Sequence, residues 1–222
     1  MIVCHDPPYV FISNAKCGTH SVHWALTTFY GGSAVCKVGL RIVPRQEYGK
    51  QWKREIGAAV QHPRYVAGHP NIVPKEFATP KHFKFSVVRD PYTRIVSAWR
   101  SMTGPGRRFE GKVPGKNTLQ NFISWALTTK RSYAAVKPQV EQLAPLERLQ
   151  TVLRLENLAE DWKKLPFYSG QPESWPAKDS ALSFPGEYTN GPEEELSPED
   201  VKIVNLVYAR DFEAFGYPVR EG

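Results

Sequence analysis

No stretch of this 222-residue chain offers the roughly 18 to 20 consecutive apolar residues that a membrane-spanning helix needs. The amino terminus is a short strand-like segment without the charged and apolar blocks of a signal peptide, so a soluble, cytoplasmic protein is expected. Cysteine is scarce. Cys4, Cys17 and Cys36 are three thiols with no CxxC or Cys/His ligand spacing, which indicates neither a disulfide framework nor a zinc site. Free thiols in a reducing compartment follow. The nucleoside-triphosphate loop GxxxxGK(S/T) is also missing, as is any internal repeat, and no carboxylate cluster offers itself to a metal.

What remains is enough for one core and short for two full domains, with 41% hydrophobic residues over 222 positions. Acidic residues are outnumbered, 22 against 29 Lys and Arg, which leaves a net charge of +7. That excess favours an anionic partner, whether a nucleotide, a nucleic acid, an acidic glycan or a lipid headgroup.

Two strand–loop–helix units stand out. Tyr9 to Ser13 is β-branched and aromatic. It runs into a small-residue loop, Asn14 to Gly18, and then into a helical pattern that stops at Gly31 and Gly32. His82 to Val88 reads as a second strand, after which Asp90 can cap a helix whose first residue is Pro91, where no amide is missed. Between them, Gln51 to Val60 reads as a helix and Arg64 to Ala67 as a short strand running into Gly68-His69. Beyond them, Asn117 to Thr129 and Tyr133 to Leu143 read as helices, Gln150 to Leu155 as a strand and Asn157 to Lys164 as a short helix. A final helix has Ser197 as cap, Pro198 at its first position, Asp200 three residues after the cap and Gly216 as its stop. Gly104 to Lys116 and Gly170 to Glu195 read as loops. Alternating strands and helices predict a single α/β domain on a mainly parallel sheet, with ligands bound beyond the carboxyl ends of its strands.

The chemistry concentrates in two segments. In Lys16-Cys17-Gly18-Thr19-His20-Ser21, between strand and helix, free backbone amides and the helix dipole favour a phosphate, Gly18 allows close approach, Thr19 adds a hydroxyl and Lys16 a mobile charge. In Arg89-Asp90-Pro91-Tyr92-Thr93-Arg94-Ile95-Val96-Ser97, Arg89 ends a buried strand and Ser97 stands about two turns into the next helix, so both can reach one phosphate. Each segment alone also reads blandly. Lys16 can be a solvated turn lysine, Arg89 the partner of a neighbouring carboxylate, Ser97 a small residue on a packed face.

Together the two segments resemble the PAPS-dependent sulfotransferases, in particular the branch of heparan and other carbohydrate O-sulfotransferases. In that family a PKxGxTS or KGGTR strand–loop–helix holds the 5′-phosphosulfate and an RDPxxRxxS segment the 3′-phosphate. Gly68-His69, Lys137-Pro138-Gln139, Leu153-Arg154-Leu155-Glu156-Asn157-Leu158 and Tyr208 to Tyr217 resemble further landmarks of the family, so the likeness covers most of the chain. Ala15 stands where proline is common, and His20 where Thr, Ser or Arg is frequent.

The resemblance implies a P-loop-like sulfotransferase fold and the donor 3′-phosphoadenosine-5′-phosphosulfate (PAPS), with 3′-phosphoadenosine-5′-phosphate as product and no metal. It implies that Lys16, Cys17, Gly18, Thr19, His20 and Ser21 hold the 5′ side, that Arg89 and Ser97 hold the 3′-phosphate, and that Lys16 stabilises the leaving phosphate. A histidine suits removal of the acceptor proton. His69 is the expected base, with His20 and His23 as rivals. The acceptor is expected to be a hydroxyl, of a carbohydrate that can itself be acidic, and no nucleic acid is expected. Arg107, Arg108, Lys112 and Lys116 can steer such an acceptor or form an ordinary solvated loop. Arg94 and Glu156 read as structural. Two rival readings remain: a nucleotide-dependent phosphotransferase, which would need a metal and a triphosphate loop, and a non-catalytic basic module binding nucleic acid or heparin.

Overall fold

The computed structural model describes residues 1–35, 42–43, 73, 77–105, 107, 109–170 and 196–222. Its centre is the strand pair β2 (Pro8–Phe11) and β5 (Phe83–Val88), which run parallel with Tyr9 opposite Phe83 and Phe11 opposite Phe85. From Lys84 to Val88 every residue of β5 is buried, as a parallel strand covered on both faces requires. β6 (Thr151–Arg154) adds a second parallel pairing on the far side of β5, with Val88 opposite Arg154. On the near side, β1 (Ile2–His5) pairs antiparallel with β2, and β3 (Ser33–Val35) and β4 (Ile42–Val43) extend the sheet antiparallel. The sheet order is β4-β3-β1-β2-β5-β6.

Alternate residues feed two cores. Tyr9, Phe11, Phe85 and Val87 face one way and pack with Val22, Ala25 and Leu26 of α1 (Thr19–Phe29) and with Leu158 and Trp162 of α5 (Leu158–Trp162). Val10, Ile12 and Val88 face the other way. They meet α2 (Pro91–Thr103), α3 (Leu119–Thr129), α4 (Gln139–Leu143), α6 (Pro198–Val207) and α7 (Ala209–Phe215). The result is helix, sheet, helix: a single α/β domain. Among the described residues no helix is long and apolar enough to cross a membrane.

Most of the expected elements are present, with two corrections. Tyr133 to Leu143 is not one helix. Pro138 disfavours helical backbone at Lys137, so residues 131–137 form turns and α4 begins only at Gln139. The final helix is divided at Tyr208, whose backbone leaves the helix (φ −107°, ψ 19°) while its hydroxyl donates to Val136 O at 2.6 Å. The expected helix Gln51 to Val60, strand Arg64 to Ala67 and loop Gly170 to Glu195, apart from Gly170 itself, lie outside the described residues.

Candidate active site

The carboxyl ends of β2, β5 and β6 lie side by side, and the residues that follow them build the site. After β2 the chain stays stitched to β5. Ile12 N donates to Phe85 O (2.9 Å), Ser86 Oγ to Ile12 O (2.7 Å) and Asn14 Nδ2 to Val87 O (3.2 Å). The loop then makes two left-handed steps, Lys16 at φ 67° and Gly18 at φ 69°, before α1 starts at Thr19. A Cβ on Gly18 would stand 2.6 Å from Leu155 Cδ1, so the chain passes close to the residue that follows β6, and a side chain at 18 would have to move the tip of that leucine. Among the described residues no side chain caps α1 at Gly18, and its first turn has no acidic residue. The orphan amides of that turn are those that an anion would satisfy.

The predicted side chains that fall within the described residues take the following places. Lys16 is half-buried, and burial, with Arg89, Arg107 and Arg94 nearby, lowers its pKa to about 7. Cys17 turns inward and is 1% exposed, and burial pushes its thiol up to about 12. What Cys17 presents to a ligand is therefore its backbone. Thr19 Oγ1 donates to Asn14 O at 2.6 Å, closing the loop on itself. Ser21 follows in the first turn of α1. His20 is the second residue of α1, but its side chain lies outside the described part, as do His69 and Arg108. His23 Nε2 is 2.8 Å from Ser13 Oγ, and its ring stands edge-on to Phe11 at 5.6 Å.

Arg89 follows β5 directly. Its Nε donates to Thr93 Oγ1 (3.0 Å) and its Nη1 to Lys16 O (3.5 Å). Among the described residues no carboxylate forms an ion pair with it. Burial lowers the pKa of this guanidinium as it does that of Lys16. Asp90 caps α2 through Tyr92 N and Thr93 N, with Pro91 at the first position, and Ser97 stands partly buried two turns along. Of the basic loop, Arg107 stands near Lys16 and is half-buried, whereas Lys112 and Lys116 are exposed.

Three residues without an assigned role, together with Arg94, which the sequence marked as structural, prove central. Gln139, at the start of α4, accepts through Oε1 from Asn14 Nδ2, Cys17 Sγ and Arg89 N, and donates through Nε2 to Arg89 O. Asp211, fully buried, accepts from Gln139 N and Val140 N. Gln142 Oε1 accepts from Ala15 N at 3.4 Å. Arg94, 1% exposed, holds Ala15 O through Nε (3.0 Å), and Ala134 O and Lys137 O through Nη2. The signal for Gln139 and Asp211 in the sequence was the Lys137-Pro138-Gln139 and Tyr208 to Tyr217 landmarks, which carry no chemistry until the fold brings them under the loop; Gln142 had no such signal. Glu156, read as structural, accepts from Asp90 N (2.8 Å) and Tyr217 OH (2.9 Å).

This arrangement concentrates Lys16, Arg89, Arg94 and Arg107 near the carboxyl ends of the parallel strands β2, β5 and β6, beside an uncapped helix start. Such a cluster of cations favours an anionic ligand. Comparison with known families agrees: the model of the sulfotransferase family matches residues 2–218. The chain belongs to the sulfotransferase family. As a sulfotransferase it moves a sulfuryl group onto a hydroxyl-bearing acceptor. No curated protein and no solved structure matches it. Among the described residues of this sulfotransferase no group of His, Cys, Asp and Glu could hold a metal ion.

Proposed function

We propose that this sulfotransferase uses PAPS and sulfates a carbohydrate hydroxyl. The observation that carries the reading is the joining of two anion-binding elements, with the guanidinium of Arg89 reaching the carbonyl of Lys16. A nucleotide with phosphates on both the 3′ and the 5′ oxygens of its ribose matches two such elements; an adenine nucleotide phosphorylated only at the 5′ oxygen matches one. The cradle also fits a phosphate on its own account, since Gly18 leaves no Cβ in the way and α1 starts uncapped.

PAPS supplies a sulfuryl group already attached to a phosphate leaving group. The backbone from Cys17 to Ser21 binds the 5′ side, joined by the Thr19 hydroxyl once it turns from Asn14 O to the ligand, and Arg89 and Ser97 bind the 3′-phosphate. Lys16 neutralises charge that develops on the leaving oxygen. Its pKa near 7 means that a dianionic ligand recharges it, so the cation is strongest when the donor is bound. His69, from the Gly68-His69 segment, takes the proton of the acceptor hydroxyl. His23 is less suited, because its ring is engaged with Ser13 beneath the loop. Arg107, with Lys112 and Lys116 further out, attracts an acidic sugar.

The test is transfer of labelled sulfate from PAPS to a panel of carbohydrates, phenols and amines, with wild type and His69→Ala. The expected result is label on carbohydrate only, with His69→Ala still binding 3′-phosphoadenosine-5′-phosphate but losing at least about a hundredfold in kcat. Label on phenols or amines alone would overturn the carbohydrate assignment. Undiminished transfer by His69→Ala would remove that residue from the mechanism.

A further inference from the structure

We propose that Gln139 is a positioning residue that couples the two halves of the donor site, so that the cradle and Arg89 bind one bisphosphate as a unit. The inference rests on the reading of the site as one for PAPS. β5 ends at Val88, so the N–H and C=O of Arg89 have left the ladder that pairs the residues before it. Gln139 replaces the missing partner on both counts, accepting from Arg89 N at 2.9 Å and donating to Arg89 O at 2.8 Å. The same Oε1 receives Asn14 Nδ2 at 3.0 Å and Cys17 Sγ at 3.1 Å, both from the cradle. The Cys17 thiol stays protonated well above neutral pH and so keeps its hydrogen to donate.

One fully buried amide thus grips the backbone of the 3′ element and the side chains of the 5′ element. Its own place is fixed from behind by Asp211, whose two oxygens take Gln139 N and Val140 N at 2.8 and 2.9 Å. A displacement of either half therefore costs hydrogen bonds in the other. A residue that only filled space would contact the two halves without exchanging donors and acceptors with both.

The experiment measures binding of 3′-phosphoadenosine-5′-phosphate and of AMP, and steady-state kinetics with PAPS, for wild type, Gln139→Met and Asn14→Ala, well below each protein's melting midpoint. Wild type should bind the bisphosphate much more tightly than AMP. Gln139→Met should weaken both ligands by about tenfold or more, because a buried donor or acceptor left unpaired on each side loosens each half. The donor KM should rise while the acceptor KM stays unchanged, a split that a general loss of stability would not produce. Should Gln139→Met show no cooperative melting, Asn14→Ala is judged by the same criteria, with a smaller loss expected on both ligands. Wild-type binding that does not distinguish the bisphosphate from AMP overturns the donor reading and the coupling with it. Wild type that distinguishes them, beside a folded variant that binds both ligands normally or loses only the bisphosphate, overturns the coupling alone.

Discussion

At position 18 the backbone holds φ at 69°, a left-handed conformation that strains any residue but glycine, and an added methyl would also have to push aside the tip of Leu155, whose Cδ1 stands 2.6 Å from it. Gly18→Ala is therefore expected to lose about 1 to 3 kcal/mol of stability and to bind donor product at least tenfold more weakly, read by thermal melting and calorimetry. Melting and affinity equal to wild type would mean that the loop has slack its packing does not suggest. Two residues earlier, Lys16 carries a pH signature. Its folded pKa is lowered to about 7 from an ordinary value of 10.5, chiefly by burial. Between those values the unfolded chain holds a proton that the folded chain does not, so the contribution of Lys16 makes stability rise with pH across that window. Below about 7 the lysine is charged in both states and its burial cost is fully present. Lys16→Met should be more stable than wild type at neutral pH, should lack this rise, and should lose transfer. For the same reason, binding of the bisphosphate near pH 8 should take up a proton, seen as a buffer-dependent binding enthalpy that Lys16→Met lacks.

Elements differ in how openly the sequence announces them. The start of α6 is fully legible: Ser197 accepts from Asp200 N and Asp200 accepts from Ser197 N, with Pro198 at the first position. Ser197→Ala should cost about 1 kcal/mol and lower the melting midpoint by a few degrees, with donor affinity unchanged, because the cap is remote from the cradle. A matching loss of affinity would link α6 to the site. The cap of α2 at Asp90 and the cradle were equally legible, since turn and cap chemistry is local. The break at Tyr208 was not, because the bond from its hydroxyl to Val136 is made by residues far apart in sequence. Nor did the sequence reveal the false start at Tyr133, where apolar periodicity continued across a proline that local backbone sterics would not pass.

For the whole molecule, the two halves of the site belong to separate strand–loop–helix units, and the sheet makes them neighbours. Sequence motifs marked the two segments of the candidate site, and the parallel pairing of β2 with β5 makes those segments neighbours. What no motif could convey was the floor beneath them. Asn14, Gln139, Gln142 and Asp211 are buried polar residues whose partners lie up to 127 positions away. Such groups are costly unless paired, and their pairing exists only in the folded chain.

The most direct test of a donor site spanning both halves is calorimetric titration with 3′-phosphoadenosine-5′-phosphate, with AMP as control, on wild type and Arg89→Ala. Wild type should prefer the bisphosphate by about a hundredfold or more, as charge-assisted contacts to a second phosphate would give, and Arg89→Ala should lose most of that preference. Equal affinity of wild type for the two nucleotides, or a preference that survives Arg89→Ala, would contradict such a site.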